Sequence, residues 1–550
     1  MAQRYEETKV PFTNMTFHPD VPSNALGPNE YNSGYNVETD IRGIRSVLGD
    51  EEILDAIPGT PIFITGGYRG DGDVWWFIAA TSDGNWWFTN NSGDWENCAP
   101  GLTPLSGYSL DTNITDCWNG TTLFINDNIH PPMYLTAKAF EFTQYSNDPL
   151  AAPPAYIWNY NDDWSSLSAG WMRLYNTPNV GSILIAGNLS SVDALSSIVT
   201  NFPNTVRWSR AFGLNDGPTT WEPTANNVAN ELEVPVRGPV LDGFPCSGNF
   251  YVCSYWDTVV FSPINFQGTN NPVLGVRLFN QGRGLLNANC WANADNEVYG
   301  LDARDIWVFN GQEFAGLGNQ RIRNYFFENL NLTYSDRVFV ENNTRKNQIE
   351  IYYPDLNSTG WCNKMISYRY DLKIWNPPRD ISNASMACEA PVFVPGSPEG
   401  EFDAASRTIV YSRGVANTAI VQKDQGHTFI NGAPISSEFR RDNIQLLKDY
   451  SGHLLVHRLL PEAVNLDEVG LPVANSTGNI TVTIGGSNSV GQTPDFQANV
   501  TMVLNTDSPW TQIDQNAYRI NSIKINNTSN TQTWLCSATT WQYTQTQDDR

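Results

Sequence analysis

The chain is poor in the features that mark several common functional classes. Only 16% of its 550 residues are charged and only five are histidine. Lys and Arg number 32 against 57 Asp and Glu, a formal net charge of −25. That balance excludes a general grip on nucleic acid, which needs Lys and Arg to displace counterions from phosphate. It leaves open a surface that DNA passes without sticking. No apolar run approaches the ~18 residues of a membrane span, so no stable membrane insertion is expected. Nor does any segment carry a heptad pattern. The opening MAQRYEETKV has no apolar core of a signal peptide, and synthesis and assembly in a cytosol are the expectation. Eight cysteines in 550 residues are too sparse for a disulfide scaffold. The closest pair, Cys246 and Cys253, lies in FPCSGNFYVCSYW, and no Cys-x-x-Cys or Cys/His ligand spacing occurs. Reduced, buried thiols are expected.

Aromatics make up 12% of the chain, with 42 Gly and 33 Pro, a composition for strands and turns. The length exceeds what one core supports and predicts two or three domains. The clearest local pattern runs from Asn287 to Gly316, NANCWANADNEVYGLDARDIWVFNGQEFAG. Asn310-Gly311 reads as a two-residue hairpin turn, since both residues tolerate positive φ. Ile306 to Phe309 alternates as a strand should, Glu297 to Gly300 makes another, and Asp302 to Asp305 turns the chain between them. Arg321 to Leu330 is the nearby segment with a short helical pattern.

Residues 1–58 are broken by Pro11, Pro19, Pro22 and Pro28 and read as an N-terminal arm or irregular strap. From about residue 60 the chain becomes a series of hairpins. Val74–Ile78 and Trp86–Thr89 flank Ser82-Asp83-Gly84-Asn85, and Asp116–Trp118 and Thr121–Ile125 flank Asn119-Gly120. Phe250–Cys253 pairs with Thr258–Phe261, and the series closes with Thr408–Tyr411 and Ala419–Gln422. At ~40–50 residues per blade, 59–435 has room for six to eight blades of an irregular β-propeller. A sandwich or two barrels would accommodate the same strands. Residues 436–550 change character, with strands at Leu454–Leu459, Ile480–Ile484, Asn499–Leu504, Tyr518–Ile525 and Thr533–Cys536, and read as a sandwich-like C-terminal β-domain. The expected fold class is therefore all-β.

Motifs that carry chemistry are weak here, each with a simpler structural reading. Ser82-Asp83-Gly84-Asn85-Trp86 resembles the Asp-box of sialidase-like propellers but misses its spacing, and an Asp-Gly turn beside a buried Trp accounts for it. A glycosidase also needs two positioned carboxylates, or a Tyr nucleophile with an arginine cluster, and nothing singles out such a set. Arg69-Gly70-Asp71 spells an adhesion tripeptide and reads as a polar turn. Asp71 and Asp73 lack the twelve-residue calcium-loop pattern. His453 and His457 are four apart, yet HLLVHRLL alternates as a strand and no Glu follows the first His. There is no Gly-x-Ser-x-Gly turn, and QGRGLL lacks the Lys-Ser/Thr of a phosphate loop. Asn113, Asn188 and Asn479 head Asn-x-Ser/Thr triplets that so Asn- and Thr-rich a chain contains by chance. The sequence nominates no catalytic, cofactor or metal residue, and an enzyme is not expected.

Four features, in order, resemble the tail nozzle (tail tubular protein B, or tail hub) family of short-tailed bacteriophages. They are the strap ending in NSGYNVETDIRGIRSVLG; TVRWSRAFGLNDGPTTWEP; FYVCSYWDTVVFSPIN followed by NEVYGLDARDIWVFNGQEF; and the closing ITVTIGG, AYRINSIKI and TWLCSATTWQY. The Trp-rich segment from Trp75 to Trp95 has no counterpart in that pattern, and the chain is shorter than the family's longest members. The resemblance implies a virion component assembled in the host cytoplasm. It would form a homohexameric ring beneath the tail adaptor ring, near tail fibres or spikes, extending and closing the DNA channel and opening on host contact. Genomic DNA would pass without sequence-specific contact and no cofactor would be needed. Six copies at −25 carry a formal −150, and an acidic wall would let duplex DNA slide where a basic one would hold it. Net acidity also serves solubility alone. The alternative from the residues themselves is a carbohydrate-binding or glycoside-hydrolase-type propeller, with exposed Trp and Tyr stacking on sugar rings. A tail-fibre protein would carry trimeric fibre repeats, which are not seen.

Overall fold

The computed structural model describes residues 5–546 apart from 69–74, 91–93, 99–103, 136–161, 165, 178–180, 194–195, 225–226, 265–273, 320, 394–401, 448–451, 474–477, 490–491, 498, 505–509 and 514–516. Arg69-Gly70-Asp71 and Asp73 lie outside the described residues. Hairpins dominate and the fold is all-β; among the described residues one short α-helix occurs, at Arg323–Asn329, inside the segment where the sequence predicts one.

Among the described residues, seven antiparallel blades form an irregular propeller. Blade 1 holds Pro61–Tyr68, Trp75–Thr81, Trp86–Thr89 and Glu96–Asn97. Among the described residues blade 2 has three strands, Thr115–Asn119, Thr122–Asn126 and Met133–Leu135. Blade 3 runs from Leu167–Thr177 through Gly181–Val192 and Val199–Trp208 to Asn230–Glu233. Blade 4 spans Val240–Cys246 to Leu274–Gln281, and blade 5 spans Trp291–Ala294 to Phe314–Gly316. Blades 6 and 7 are one seven-stranded sheet folded on itself. Its strand Ile374–Phe393 pairs with Cys362–Arg369 up to Ala384 and with Phe402–Arg413 beyond it, with register shifts on both sides. Those bulges bend the strand. Phe339, Tyr352 and Met365 of one half then pack with Ile409, Tyr411 and Val421 of the other.

Apolar clusters join each blade to the next. Phe63 and Ile78 meet Leu123 and Ile125; Phe124 meets Met172 and Leu184; Trp171 and Val206 meet Val252 and Phe261. The ring closes where Ile64 and Phe77 of blade 1 pack on Phe393 and Val410 of blade 7. A second closure comes from the strap. Its strand Asp50–Ile53 pairs with Ile420–Lys423 and is the outermost strand of blade 7.

The strap is more regular than its prolines predict. Thr16–Phe17 pairs with Glu30–Tyr31 inside the strap, but most of its short strands join sheets built elsewhere, with partners hundreds of residues away. Glu6–Pro11 pairs along Thr533–Gln545, Ser33–Tyr35 pairs with Ala433–Ile444, and the Val37–Asp40/Gly43–Ser46 hairpin extends the same sheet as Thr533–Gln545. Two seven-stranded sheets result, and Phe12, Phe439, Val456, Val482, Ile484, Ile523, Trp534 and Trp541 share one buried cluster.

Two turn assignments also shift. Phe309 pairs with Phe314, so Asn310-Gly311 opens a four-residue loop and not a two-residue one. The Asn310 side chain accepts from the N–H groups of Gln312 (2.9 Å) and Glu313 (3.0 Å), and only Gly311 has positive φ. In blade 2, Asn119 pairs with Thr122, which leaves Gly120-Thr121 as the turn.

A buried ion network ties the strap to blades 6 and 7. Arg379 bridges Asp50 and Asp424, and its Nη2 also donates to the carbonyls of Leu48 (3.1 Å) and Gly49 (3.2 Å). Lys346 pairs with Glu38 (3.1 Å) and Asp424 (2.8 Å). Fully buried Lys423 pairs with Glu350 and meets the Tyr352 hydroxyl at 3.0 Å. Charges so far from water persist because each has a partner of opposite sign.

Candidate functional site at the propeller axis

The inner strand of each blade carries a polar residue toward the axis, and these residues interact. Arg173, inside the apolar strand of blade 3, donates from Nε (2.9 Å) and Nη2 (2.7 Å) to both oxygens of Asp242 in blade 4. Its Nη1 reaches the Asp116 carbonyl of blade 2 at 2.9 Å, and Nη2 also reaches Asn289 Oδ1 at 2.7 Å. Trp291 of blade 5 donates to Asp242 Oδ2 at 2.8 Å and lies under the guanidinium, 5.3 Å from its ring centroid. Asp242 further accepts from the N–H groups of Gly243 (2.8 Å) and Asn289 (3.1 Å). On the other side of the axis, Thr65 of blade 1 donates to Asp116 at 2.6 Å and accepts from Trp118 at 3.1 Å. Thr344 donates to Glu389 of blade 7.

The electrostatics follow from one cation among several acids. Burial pushes the Asp116 carboxyl above the usual range, against its hydrogen bond from Thr65 and the pull of Arg173. Glu341 of blade 6 is pushed well above, by burial first and then by the charges of Asp116, Glu350 and Glu389. The Cys388 thiol rises through burial and the charges of Glu341, Asp116 and Glu389. Arg173 is already bound to Asp242, so it offsets the rise at Asp116 and Glu341 only in part.

The inner strands all begin at one face and end at the other. Where they begin, between Phe63, Asn113, Asn289, Arg337 and Trp361, the cavity holds about 50 Å³. Where they end, the hairpin turns of blades 3 to 6 surround a cavity of about 710 Å³. Its rim is tied across blades. The Tyr175 hydroxyl donates to Gly248 O at 2.7 Å, and Asn342 Nδ2 donates to Asn293 O at 2.8 Å. Ser247-Gly248 and Asp295-Asn296 have consecutive positive φ values, as tight two-residue hairpins require.

The sequence motifs lie elsewhere. Asp83 of the Asp-box-like turn accepts from Thr81 and Asn85 and caps its own hairpin. Gly84 has φ +83°, and a Cβ there would fall 1.9 Å from Leu105 O, so this turn is a packing device. His453 precedes the strand that starts at Leu454, while His457 is buried with Nε2 2.8 Å from Thr544 Oγ1. Among the described residues no group of three or more His, Cys, Asp or Glu is arranged to hold a metal. All eight cysteines are free, six of them buried. Sequence reasoning missed the axial set. Its one local signal is an arginine inside an otherwise apolar strand, WMRLY, which calls for a buried partner.

No family model and no curated protein matches the chain. Among solved structures, it is similar to BBS1N, crystallised in complex with ARL6DN, at 8% identity and a TM-score of 0.37, over 69% of this chain and 95% of that one. It is also similar to the computationally designed Ika8 protein, at 9% identity and a TM-score of 0.35, over 67% of this chain and 98% of that one. Neither similarity is high enough to carry an argument, so the propeller rests on the strand pairing itself.

Proposed function

We propose that the chain is a non-enzymatic structural component of a short-tailed bacteriophage, one subunit of a nozzle ring below the tail adaptor. The observation that carries this reading is the order of the four family-like segments along the chain. Several features support it. The strap segment supplies strands both to the C-terminal sheets and to blade 7, so both ends of the chain are tied to the propeller through shared sheets. The second hairpin of blade 3 exposes Val192, Ile198, Val199 and Phe202, with Leu232 on the adjoining edge strand. Apolar patches of this kind suit contact with another protein. The axial carboxylate Asp242 has both oxygens occupied by protein donors, which suits a structural pin better than an acid or base awaiting substrate.

The experiment is mass measurement of the purified protein, alone and mixed with its candidate adaptor ring. Six copies loaded on the ring are expected, with the net charge of −25 per copy giving an acidic assembly. A monomer that ignores the ring would overturn the proposal.

A further inference from the structure

We propose that the wide mouth of the propeller axis binds a neutral oligosaccharide. This does not rest on the tail assignment, because the propeller axis runs within one subunit. The cavity, about 710 Å³, falls within the ~300–1,000 Å³ typical of small-molecule sites. Six asparagines line it: Asn176, Asn249, Asn293, Asn296, Asn342 and Asn347. Asn176, Asn342 and Asn347 each already hold one hydrogen bond within the protein, whereas a free amide presents a donor and an acceptor side by side, the pattern that matches adjacent sugar hydroxyls. The side chains of Asn293 and Asn296 are exposed and have no hydrogen bond to the described protein, so both are available to a ligand.

Charge narrows the class. Among the described residues, the lining includes no Lys, Arg or His and one carboxylate, Asp295. A phosphorylated, sulfated or otherwise anionic ligand would lose its hydration and meet no cation. A polycation would find a single acid. A neutral polyhydroxylated ligand meets neither penalty. Tyr370, half-buried with its hydroxyl donating to Asn347 Oδ1 at 3.3 Å, adds an aromatic surface for the C–H face of a pyranose. The cross-blade bonds from Tyr175 and Asn342 fix the rim before any ligand arrives, which lowers the ordering cost of binding.

A microarray of neutral and anionic bacterial oligosaccharides is the probe, followed by titration of the full chain with the best neutral ligand. The test variant is Asn293→Ala with Asn296→Gly, glycine being chosen because Asn296 has φ +66°. Both side chains are exposed, Asn293 near the end of its strand and Asn296 in the turn, and unchanged circular dichroism and unfolding confirm the fold. Binding to neutral glycans that weakens about tenfold or more in the variant is expected. Binding confined to anionic glycans, neutral binding that the variant leaves unchanged, or no binding at all would overturn the proposal.

Discussion

Replacing Arg379 with methionine should open the joint between strap and propeller. The guanidinium is almost fully buried and holds Asp50 of the strap and Asp424 of blade 7 together, with two strap carbonyls as further acceptors. Methionine keeps much of the side-chain volume and removes every donor. Asp424 retains Lys346 at 2.8 Å, whereas Asp50 is left with the Tyr411 hydroxyl at 3.0 Å and the more distant charge of Lys423. Breaking a buried pair from one side costs about 3–5 kcal/mol. At ~1.4 kcal/mol per factor of ten, local opening should rise by at least about a hundredfold. Hydrogen exchange reads this directly, in the amides of Asp50–Ile53 and Ile420–Lys423, which pair with each other. Adding Asp50→Asn should restore part of the protection, since the double variant no longer buries that unpaired charge. Exchange within twofold of wild type in Arg379→Met, or a double variant as costly as the two single changes summed, would refute the reasoning.

Other outcomes follow from the same structure. Burial would raise the Glu38 carboxyl, but Arg45 and Lys346 outweigh it and bring its pKa to about 2, below the ordinary 4.5. A depressed carboxylate contributes stability above pH ~4.5 that is lost as pH falls toward about 2, here up to about 3 kcal/mol. Proteolytic protection of the strap should therefore decline between pH 4.5 and about 2 and decline less steeply in Glu38→Gln. At the axis, Arg173→Met should cost about 3–5 kcal/mol in denaturant unfolding by stranding Asp242, and Trp291→Phe about 1.5–3 kcal/mol by removing one donor to that carboxylate. Thiol titration should find slow reaction in the native protein and eight thiols after unfolding, since burial pushes Cys98, Cys117, Cys290 and Cys536 upward. Disulfide-linked peptides in a non-reducing digest would contradict this.

Local pattern and tertiary partnership divide the problem. Hairpins whose strands are neighbours in sequence are legible, because alternation and turn residues act within a few positions of one another. Trp75–Thr81 with Trp86–Thr89, and Asn249–Ser254 with Asp257–Pro263, form where the pattern places them. The strap is not legible as strands. Glu6–Pro11 is a strand only because Thr533–Gln545 offers it an edge. The loop at Asn310 is longer than its Asn-Gly dipeptide suggests because the Asn310 side chain, and not left-handed backbone alone, satisfies the turn.

The sequence by itself determined the all-β class, the blade-sized spacing of hairpins, the acidic balance and the absence of a disulfide scaffold, all properties of composition and near neighbours. Only the tertiary structure decided that seven blades close into a ring, that the strap is the outer strand of the last blade, and that Asp116, Arg173, Asp242, Trp291, Glu341 and Glu389 share one axis. Those residues come from six different blades, each a separate stretch of the chain. No local pattern encodes such a meeting; it exists because closing the ring brings the inner strands together.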